Sequence, residues 1–342
     1  MDAFALYRLP HNSRCKLVVQ HGDPVTLSSF QAIGDDSGFV IAPFAVNDDS
    51  PIVLLHPDVV QDCTLDDVAA MGSLPLYLDG TDIPLRPASR DTYHEVFSRF
   101  HRTFSVTDIQ KLVLARCADV THNGTQPVSL FVQACRANPE AFVTLFSAPQ
   151  CGTWLVATPE VLLSRHEGQW HTMALAGTMR ITDSTSQWSD KNQREQQYVA
   201  QYIKSCLDRF SNDIQINGPY TVQAGILEHL RTDFKFSFDA GVHIGDVLDI
   251  LHPTPAVCGV PKQEAFHYIL DNECLDRSYY SGFSGPINLD GDTAMFVSLR
   301  CMRIFSDRYR LFAGGGILSQ SEEALEWDET AAKMQAMLSL ID

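Results

Sequence analysis

The 342 residues of this chain include 42 acidic and 25 basic side chains, which give a formal net charge of −17 at pH 7, and 45% of the residues are hydrophobic. This acidic balance excludes binding to nucleic acid or to an anionic membrane surface through a basic face. The hydrophobic content excludes disorder as the main state, and the length fits either two average domains or one large domain.

The sequence shows neither a membrane span nor a secretion signal. No run approaches eighteen apolar residues, and residues 1–4 lack the basic start and apolar stretch of a signal peptide. The nine cysteines are scattered, with no CxxC pair, which favours buried free thiols over disulfides or a zinc site. We therefore expect a cytoplasmic protein.

The sequence predicts helices that alternate with hairpin-linked strands. Residues 1–90 predict short strands and loops. The later elements, in chain order, are a helix over 91–104, a strand over 111–116, a helix over 127–138, hairpins over 141–157 and 161–175, helices over 189–210 and 262–270, strands over 296–305 and 309–312, and a helix over 325–340. This order predicts α+β layers with mainly antiparallel sheets in one domain, 1–342.

Lys111 is unusual because it begins a strand with apolar residues on both faces. An unpaired ammonium buried there would be unfavourable. Without further information, the sequence favours the interpretation that Lys111 lies at the exposed end of the strand and that its ammonium reaches water. A functional lysine is the alternative.

Carboxylates on two predicted helices form a candidate metal site. Glu326, Glu329 and Lys333 share one face of the last helix, where acids also suit a helix N-terminus. Glu195 is in line with the buried stripe of the long helix. Inward carboxylates from two helices suit a hard cation such as magnesium, although spacing alone leaves both interpretations open.

Two glycine-containing segments, 175–178 and 313–316, are predicted as tight turns that follow strands, where backbone amides could also approach an anion. Arg300, at the end of an apolar stretch, is either a surface residue or a bidentate partner of a carboxylate. Residues 288–292 predict a hairpin turn rather than a calcium loop.

Together these segments resemble the chorismate-utilising enzymes, a family that includes isochorismate and salicylate synthases and the large subunits of anthranilate and aminodeoxychorismate synthases. The resemblance covers about residue 91 to the C-terminus. It implies that 91–342 is the catalytic core and that 1–90 is the N-terminal part of the same domain. It rests on seven blocks in the family's order: KLVLAR at 111–116, ATPE at 157–160, LAGT at 175–178, HPTPA at 252–256, LRC at 299–301, LFAGGGI at 311–317, and EWDET at 326–330 with Lys333.

The resemblance implies a single α+β domain of two large, packed antiparallel sheets with helices outside. It also implies water as the nucleophile. Ammonia-using members have glutamine where this chain has Lys111, and aminodeoxychorismate synthases have a nucleophilic lysine where this chain has Ala176.

The activity implied is that of an isochorismate synthase. A salicylate synthase, which also eliminates pyruvate, is the alternative, and the compact chain disfavours it. A non-catalytic acidic scaffold or cation-binding protein would leave Lys111, Glu160 and Arg300 without a common purpose.

The resemblance also implies a role for each site residue. Lys111 is the general base for attack of water at C2, and Glu160 is the general acid for the departing C4 hydroxyl. Mg²⁺ bridges the ring carboxylate of chorismate and the helix carboxylates, with Glu195 and Glu329 as direct ligands and Glu326 acting through water. The residues implied to hold the substrate carboxylates are Gly177, Thr178, Arg300, Gly314 and Lys333, and His252 lines the ring pocket.

Two positions depart from the family pattern. Glu195 is followed by Gln196 where relatives usually have histidine, and Asn192 occupies a position where a further acid is frequent. The resemblance therefore predicts the residues that support the metal ligands less well than it predicts the ligands themselves. The remaining expectations are a monomer that binds chorismate without an amidotransferase subunit, and a product that serves menaquinone rather than siderophore synthesis.

Overall fold

The computed structural model describes residues 2–72, 74–78, 89–180, 187–224 and 227–341. Residues 73 and 79–88, which belong to the segment predicted as short strands and loops, lie outside this set. The described residues form two nine-stranded sheets and seven α-helices. This arrangement confirms the predicted α+β class.

The first sheet is antiparallel throughout and carries Lys111 near one edge. Its strands, in spatial order, are β14 (Gly259–Val260), β7 (Lys111–Thr121), β18 (Arg308–Ile317), β17 (Cys301–Ile304), β9 (Gly152–Thr158), β8 (Phe142–Ala148), β1 (Ala3–Arg8), β2 (Arg14–Gln20) and β6 (Val59–Thr64).

The second sheet is also antiparallel. Its strands, in spatial order, are β12 (Ile214–Ala224), β13 (Leu227–Phe236), β11 (Gln169–Arg180), β10 (Val161–His166), β16 (Thr293–Val297), β15 (Phe283–Ile287), β4 (Gly38–Ala42), β5 (Ile52–Leu55) and β3 (Val25–Leu27).

The two sheets face each other across a buried aromatic core in which, for example, Phe142 of β8 stacks on Phe296 of β16 with ring centroids 4.3 Å apart. Helices cover the outer faces and one edge. They are α1 (Leu65–Ala69), α2 (Arg90–Thr103), α3 (Pro127–Ala137), α4 (Asp190–Leu207), α5 (Ile244–Leu251), α6 (Lys262–Asn272) and α7 (Glu323–Leu338). Apolar burial between layers is the dominant favourable contribution to this packing.

Three local predictions are wrong. The apolar run 296–305 is two strands, β16 and β17, which belong to different sheets and are joined by a crossing at 298–300. The segments 175–178 and 313–316 lie inside β11 and β18 instead of forming turns after strands. Buried strands that change sheet leave a continuous apolar run, so periodicity alone does not reveal the crossing.

The cysteine prediction is confirmed. All nine cysteines are free, and Cys274 alone among them is exposed. Among the helices of the described residues, none combines the length and apolar character that a membrane crossing requires.

A buried ion pair holds the free edge of β7. On this edge, within the described residues, the only strand pairing of β7 is with β14, at Lys111 and Leu112. Beyond that point, Arg277 Nη2 donates to Val113 O at 2.8 Å, and Glu273 Oε1 accepts from Ala115 N at 2.7 Å. Arg277 and Glu273 are joined by two 2.5 Å hydrogen bonds, with both side chains 2% exposed. The pair replaces the missing strand partner and fixes the strand that begins with Lys111.

We predict that Arg277→Met lowers the free energy of unfolding by about 3–5 kcal/mol, because it leaves the Glu273 carboxylate buried without its charge partner. Arg136→Met is the matched control, since Arg136 and Asp66 form an exposed pair at 3.9 Å, and it should cost less than about 1 kcal/mol. Urea unfolding measures both. Equal losses for the two variants would contradict this account of the β7 edge.

Candidate active site

Lys111 is buried, and its ammonium is paired. The residue is 0% exposed, so the expectation that the ammonium reaches water at the strand end is wrong. Lys111 Nζ lies 3.0 Å from Glu195 Oε1, on α4. A Cβ at position 316 would lie 2.1 Å from that oxygen and 3.1 Å from Lys111 Cε. Gly316 of β18 therefore provides the space in which the pair forms.

Glu160 is a buried carboxyl at the turn between β9 and β10. Its side chain is 2% exposed, and its backbone oxygen accepts from Val297 N at 3.0 Å. Burial raises the pKa of Glu160 to about 8, although Lys111 and Lys333 act in the opposite direction. At neutral pH this carboxyl is therefore mostly protonated and able to donate a proton.

Arg300 lies in the crossing between the two sheets and is oriented by His229, a residue that the sequence analysis did not single out. Arg300 Nη2 donates to His229 Nε2 at 3.1 Å, so His229 Nδ1 carries the hydrogen and donates to Gly177 O at 3.1 Å. Burial, with Arg300 and Lys333, lowers the pKa of His229 to about 3. The His229 ring is therefore neutral, and the Arg300 guanidinium carries the positive charge of this pair.

Three carboxylates of the site each contact a lysine. Besides Lys111 and Glu195, Lys333 donates to Glu329 Oε1 at 2.8 Å and to Gly314 O at 2.8 Å. Lys191, also missed by the sequence analysis, lies with Nζ 2.7 Å from Glu326 Oε1.

Opposing effects act on the ionisation of these carboxylates. Burial opposes ionisation of Glu195, yet Lys111 and Lys191 hold its pKa below the usual range. Burial raises the pKa of Glu326, in spite of Lys191.

The donor set fits a hard cation. Glu326 Oε2 is buried and has no hydrogen-bond partner among the described residues, and an unsatisfied carboxylate oxygen is unfavourable unless a cation or donor reaches it. Within the described part of the chain, however, no three Asp, Glu, His or Cys side chains are gathered at metal-ligand spacing. Binding a metal therefore requires the carboxylates to exchange lysine contacts for metal contacts.

Seven of the expected site residues line one cavity of about 60 Å³. They are Glu160, Gly177, Thr178, Glu195, Arg300, Gly314 and Lys333. The cavity meets a wider cleft of about 520 Å³, since Pro159, Leu175 and Arg300 line both. Lys111 contacts Glu195, which lines the cavity, but Lys111 itself is not a lining residue.

His252 is not among the lining residues of this cavity. Its ring is 1% exposed, its Nε2 donates to Pro43 O at 3.1 Å, and it packs edge-on against Phe30 and Phe283. The structure therefore does not bring His252 to the substrate cavity.

The two departures from the family pattern tie α4 to the second sheet. Asn192 Nδ2 donates to Thr178 O at 3.1 Å, and Gln196 Nε2 donates to Ala174 O and to Thr232 Oγ1, both at 3.1 Å. Gly177 has φ of +71°, and a Cβ there would lie 3.0 Å from Asn192 O. These contacts fix the 177–178 backbone at the cavity wall.

Comparison with known proteins gives a consistent set of similarities. A family model described as "Chorismate binding enzyme" matches residues 82–342. The isochorismate synthase EntC of Escherichia coli K12 is 28% identical over 260 residues, which are 73% of this chain and 66% of that protein. The salicylate biosynthesis isochorismate synthase of Pseudomonas aeruginosa is 34% identical over 194 residues, 54% of this chain and 41% of that protein.

The fold is similar to that of a solved structure, MenF, the menaquinone-specific isochorismate synthase from Escherichia coli. The TM-score is 0.81 at 22% identity, covering 99% of this chain and 89% of that one. The aligned segments span slightly less than two thirds of EntC and less than half of the Pseudomonas protein.

We predict that Glu160→Gln changes the pH dependence of stability. In the wild type, the unfolded carboxyl ionises near its ordinary pKa of 4.5 and the folded one at about 8, so between these values the folded state binds more protons and stability falls as pH rises. Glutamine does not ionise. The unfolding free energy of the variant minus that of the wild type should therefore increase from pH 5 to pH 8. A difference that is constant over this range would show that Glu160 has an ordinary pKa.

Proposed function

The chain belongs to the chorismate-binding enzymes, and we propose that it is an isochorismate synthase that adds water at C2 of chorismate and expels the C4 hydroxyl. The observation that carries the proposal is a buried, largely protonated carboxyl, Glu160, on the wall of the cavity, with the buried Lys111 held by Glu195, another residue of the same wall. Glu160 has the protonation state that a general acid requires, and Lys111 can act as a general base only as the free amine.

The reaction needs one proton removed from water and one delivered to the leaving hydroxyl. Lys111, as the free amine, takes the proton from the attacking water, whose oxygen bonds to C2. Glu160 gives its proton to the C4 hydroxyl, which leaves as water while the ring double bonds shift. One water enters and one leaves, so the product is an isomer. Lys111 serves as the base only after its ammonium has left Glu195 and released its proton to solvent. After turnover, Lys111 loses the proton that it took from water and Glu160 regains one, both by exchange with solvent.

The substrate is a dianion, and the cavity wall offers matching groups. Arg300 carries the guanidinium that suits a carboxylate in a bidentate pair, and His229 orients it. Lys333 and the backbone at Gly177, Thr178 and Gly314 line the same wall. We assign these groups to the two substrate carboxylates, and we do not assign the ring contact to His252, which is packed elsewhere.

Mg²⁺ would be held by Glu195 and Glu329 directly and by Glu326 through water. When bound, it supplies positive charge for the ring carboxylate beside three protein carboxylates that would otherwise repel it. The unpartnered Glu326 Oε2 supports this assignment.

Several further properties stay predictions. Because water is the nucleophile, no amidotransferase subunit is expected. That the enzyme is a monomer is a separate prediction. The free cysteines support a reducing, cytoplasmic compartment. Use of the product for menaquinone rather than a siderophore also stays a prediction, and the salicylate synthase remains the alternative function.

The product of chorismate and Mg²⁺ tests the function. The protein should form a compound of the same mass as chorismate. The same equilibrium mixture should result whether the reaction starts from chorismate or from this product. Chromatography with mass spectrometry measures both. Salicylate and pyruvate as main products at neutral pH would establish the alternative. Anthranilate from ammonium salts would overturn the inference that water is the nucleophile.

We predict that Lys111→Gln lowers kcat by roughly 10²–10⁴-fold, with a smaller effect on KM, because glutamine keeps most of the volume but is not a base. Steady-state kinetics measures this, with circular dichroism to verify folding. Lys204→Gln, at an exposed surface pair with Asp208, is the control and should keep wild-type rates. A Lys111→Gln enzyme near wild-type kcat would rule out Lys111 as the base.

A further inference from the structure

Lys191 projects from the first turn of α4 toward α7. Its ammonium contacts Glu326 Oε1 at 2.7 Å, with side chains 19% and 3% exposed. Glu195 and Glu329 also act on Lys191 electrostatically. The Lys191 ammonium thus lies among all three carboxylates assigned above to the metal.

The charges of this cluster balance without any ligand. The contacts pair Lys111 with Glu195, Lys191 with Glu326, and Lys333 with Glu329, giving three positive and three negative charges. A divalent cation that enters adds two positive charges to a neutral cluster. Its binding is therefore opposed unless one ammonium moves away.

Of the three lysines, Lys191 is best placed to move. Lys111 is 0% exposed, and Lys333 has a second bond, to Gly314 O at 2.8 Å. Lys191 is partly exposed at the start of a helix, so its long side chain can turn its ammonium into water.

Glu326 provides an independent sign that a ligand belongs here. While Oε1 contacts Lys191, Oε2 is buried without a hydrogen-bond partner in the described part of the chain. Oε2 is directed at the backbone of β18, 3.3 Å from where a Cβ at position 315 would lie. The Ser321 side chain also hydrogen-bonds to this carboxylate. Oε2 itself nevertheless has no partner among the described residues, as expected of an oxygen that a second cation is to contact.

We propose that Lys191 is a built-in counter-cation of the metal site, which holds Glu326 while no metal is bound and which a divalent cation must displace. This proposal rests on the proposed function, because it takes the Glu195, Glu326 and Glu329 carboxylates as the metal site. Lys191 then sets the metal affinity of the substrate-free enzyme and keeps the empty cluster folded.

The test measures Mn²⁺ binding to the substrate-free protein by electron paramagnetic resonance of free Mn²⁺. Lys191→Met keeps the length of the side chain and removes the charge, so it should bind Mn²⁺ roughly tenfold or more tightly than the wild type. Lys191→Arg keeps the charge and should not gain affinity. Lys204→Met, on the same helix but exposed, should bind as the wild type does.

A second readout uses thermal unfolding. In EDTA, Lys191→Met should melt below the wild type because Glu326 has lost the ammonium that contacts it. Mn²⁺ should raise the Tm of this variant by more than it raises that of the wild type. If Lys191→Met does not fold, Lys191→Gln replaces it in both measurements.

The outcomes separate this proposal from the proposed function. If the wild type binds Mn²⁺ and the folded Lys191 variants bind it equally or more weakly, the counter-cation role is wrong while the metal site stands. If neither the wild type nor the variants bind Mn²⁺, with or without chorismate, the metal site and the counter-cation role both fail.

Discussion

The ammonium of Lys111 has no access to water, and the Glu195 carboxylate 3.0 Å away compensates for its burial. Much of the surrounding structure serves this contact. Gly316 leaves the space in which the two side chains meet. The Glu273–Arg277 pair holds the edge of β7 at a point where the described residues provide no further neighbouring strand. A buried charge without such support would be neutralised or would unfold its surroundings. The position of the proposed base is therefore fixed by interactions on three separate elements.

The same burial gives two carboxyls opposite states. Glu195 and Glu160 are both shielded from water, yet the first has an ammonium in contact, which holds its pKa below the usual range, and the second does not, so that burial raises its pKa to about 8. One site thus contains a carboxylate and a carboxylic acid at the same pH. The protonation state of each group depends on whether a lysine contacts it. The acid role proposed for Glu160 follows from this difference rather than from a special residue type.

The sequence allowed the α+β class, most helices and many strands to be predicted, because amphipathic periods and turn residues are local signals. Strands β16 and β17 were merged since both are buried, and the β12–β13 hairpin with His229 was not predicted at all. The family resemblance identified most residues of the cavity wall, but it could not reveal Lys191 or His229. Their roles depend on contacts between distant elements, such as Lys191 with Glu326 and His229 with Arg300. The local pattern also misled for Lys111, because burial of a lysine depends on a partner that lies far away in sequence.

The central claim is that Lys111 activates an external water while Glu160 expels the C4 hydroxyl, and isotope labelling tests it most directly. Turnover of chorismate in H₂¹⁸O, quenched before equilibrium, should give isochorismate in which the C2 hydroxyl carries ¹⁸O, as mass spectrometry of the product and its fragments will show. Unlabelled isochorismate formed in labelled water would mean that the hydroxyl migrates within the substrate, and it would contradict the acid and base roles proposed for these two residues.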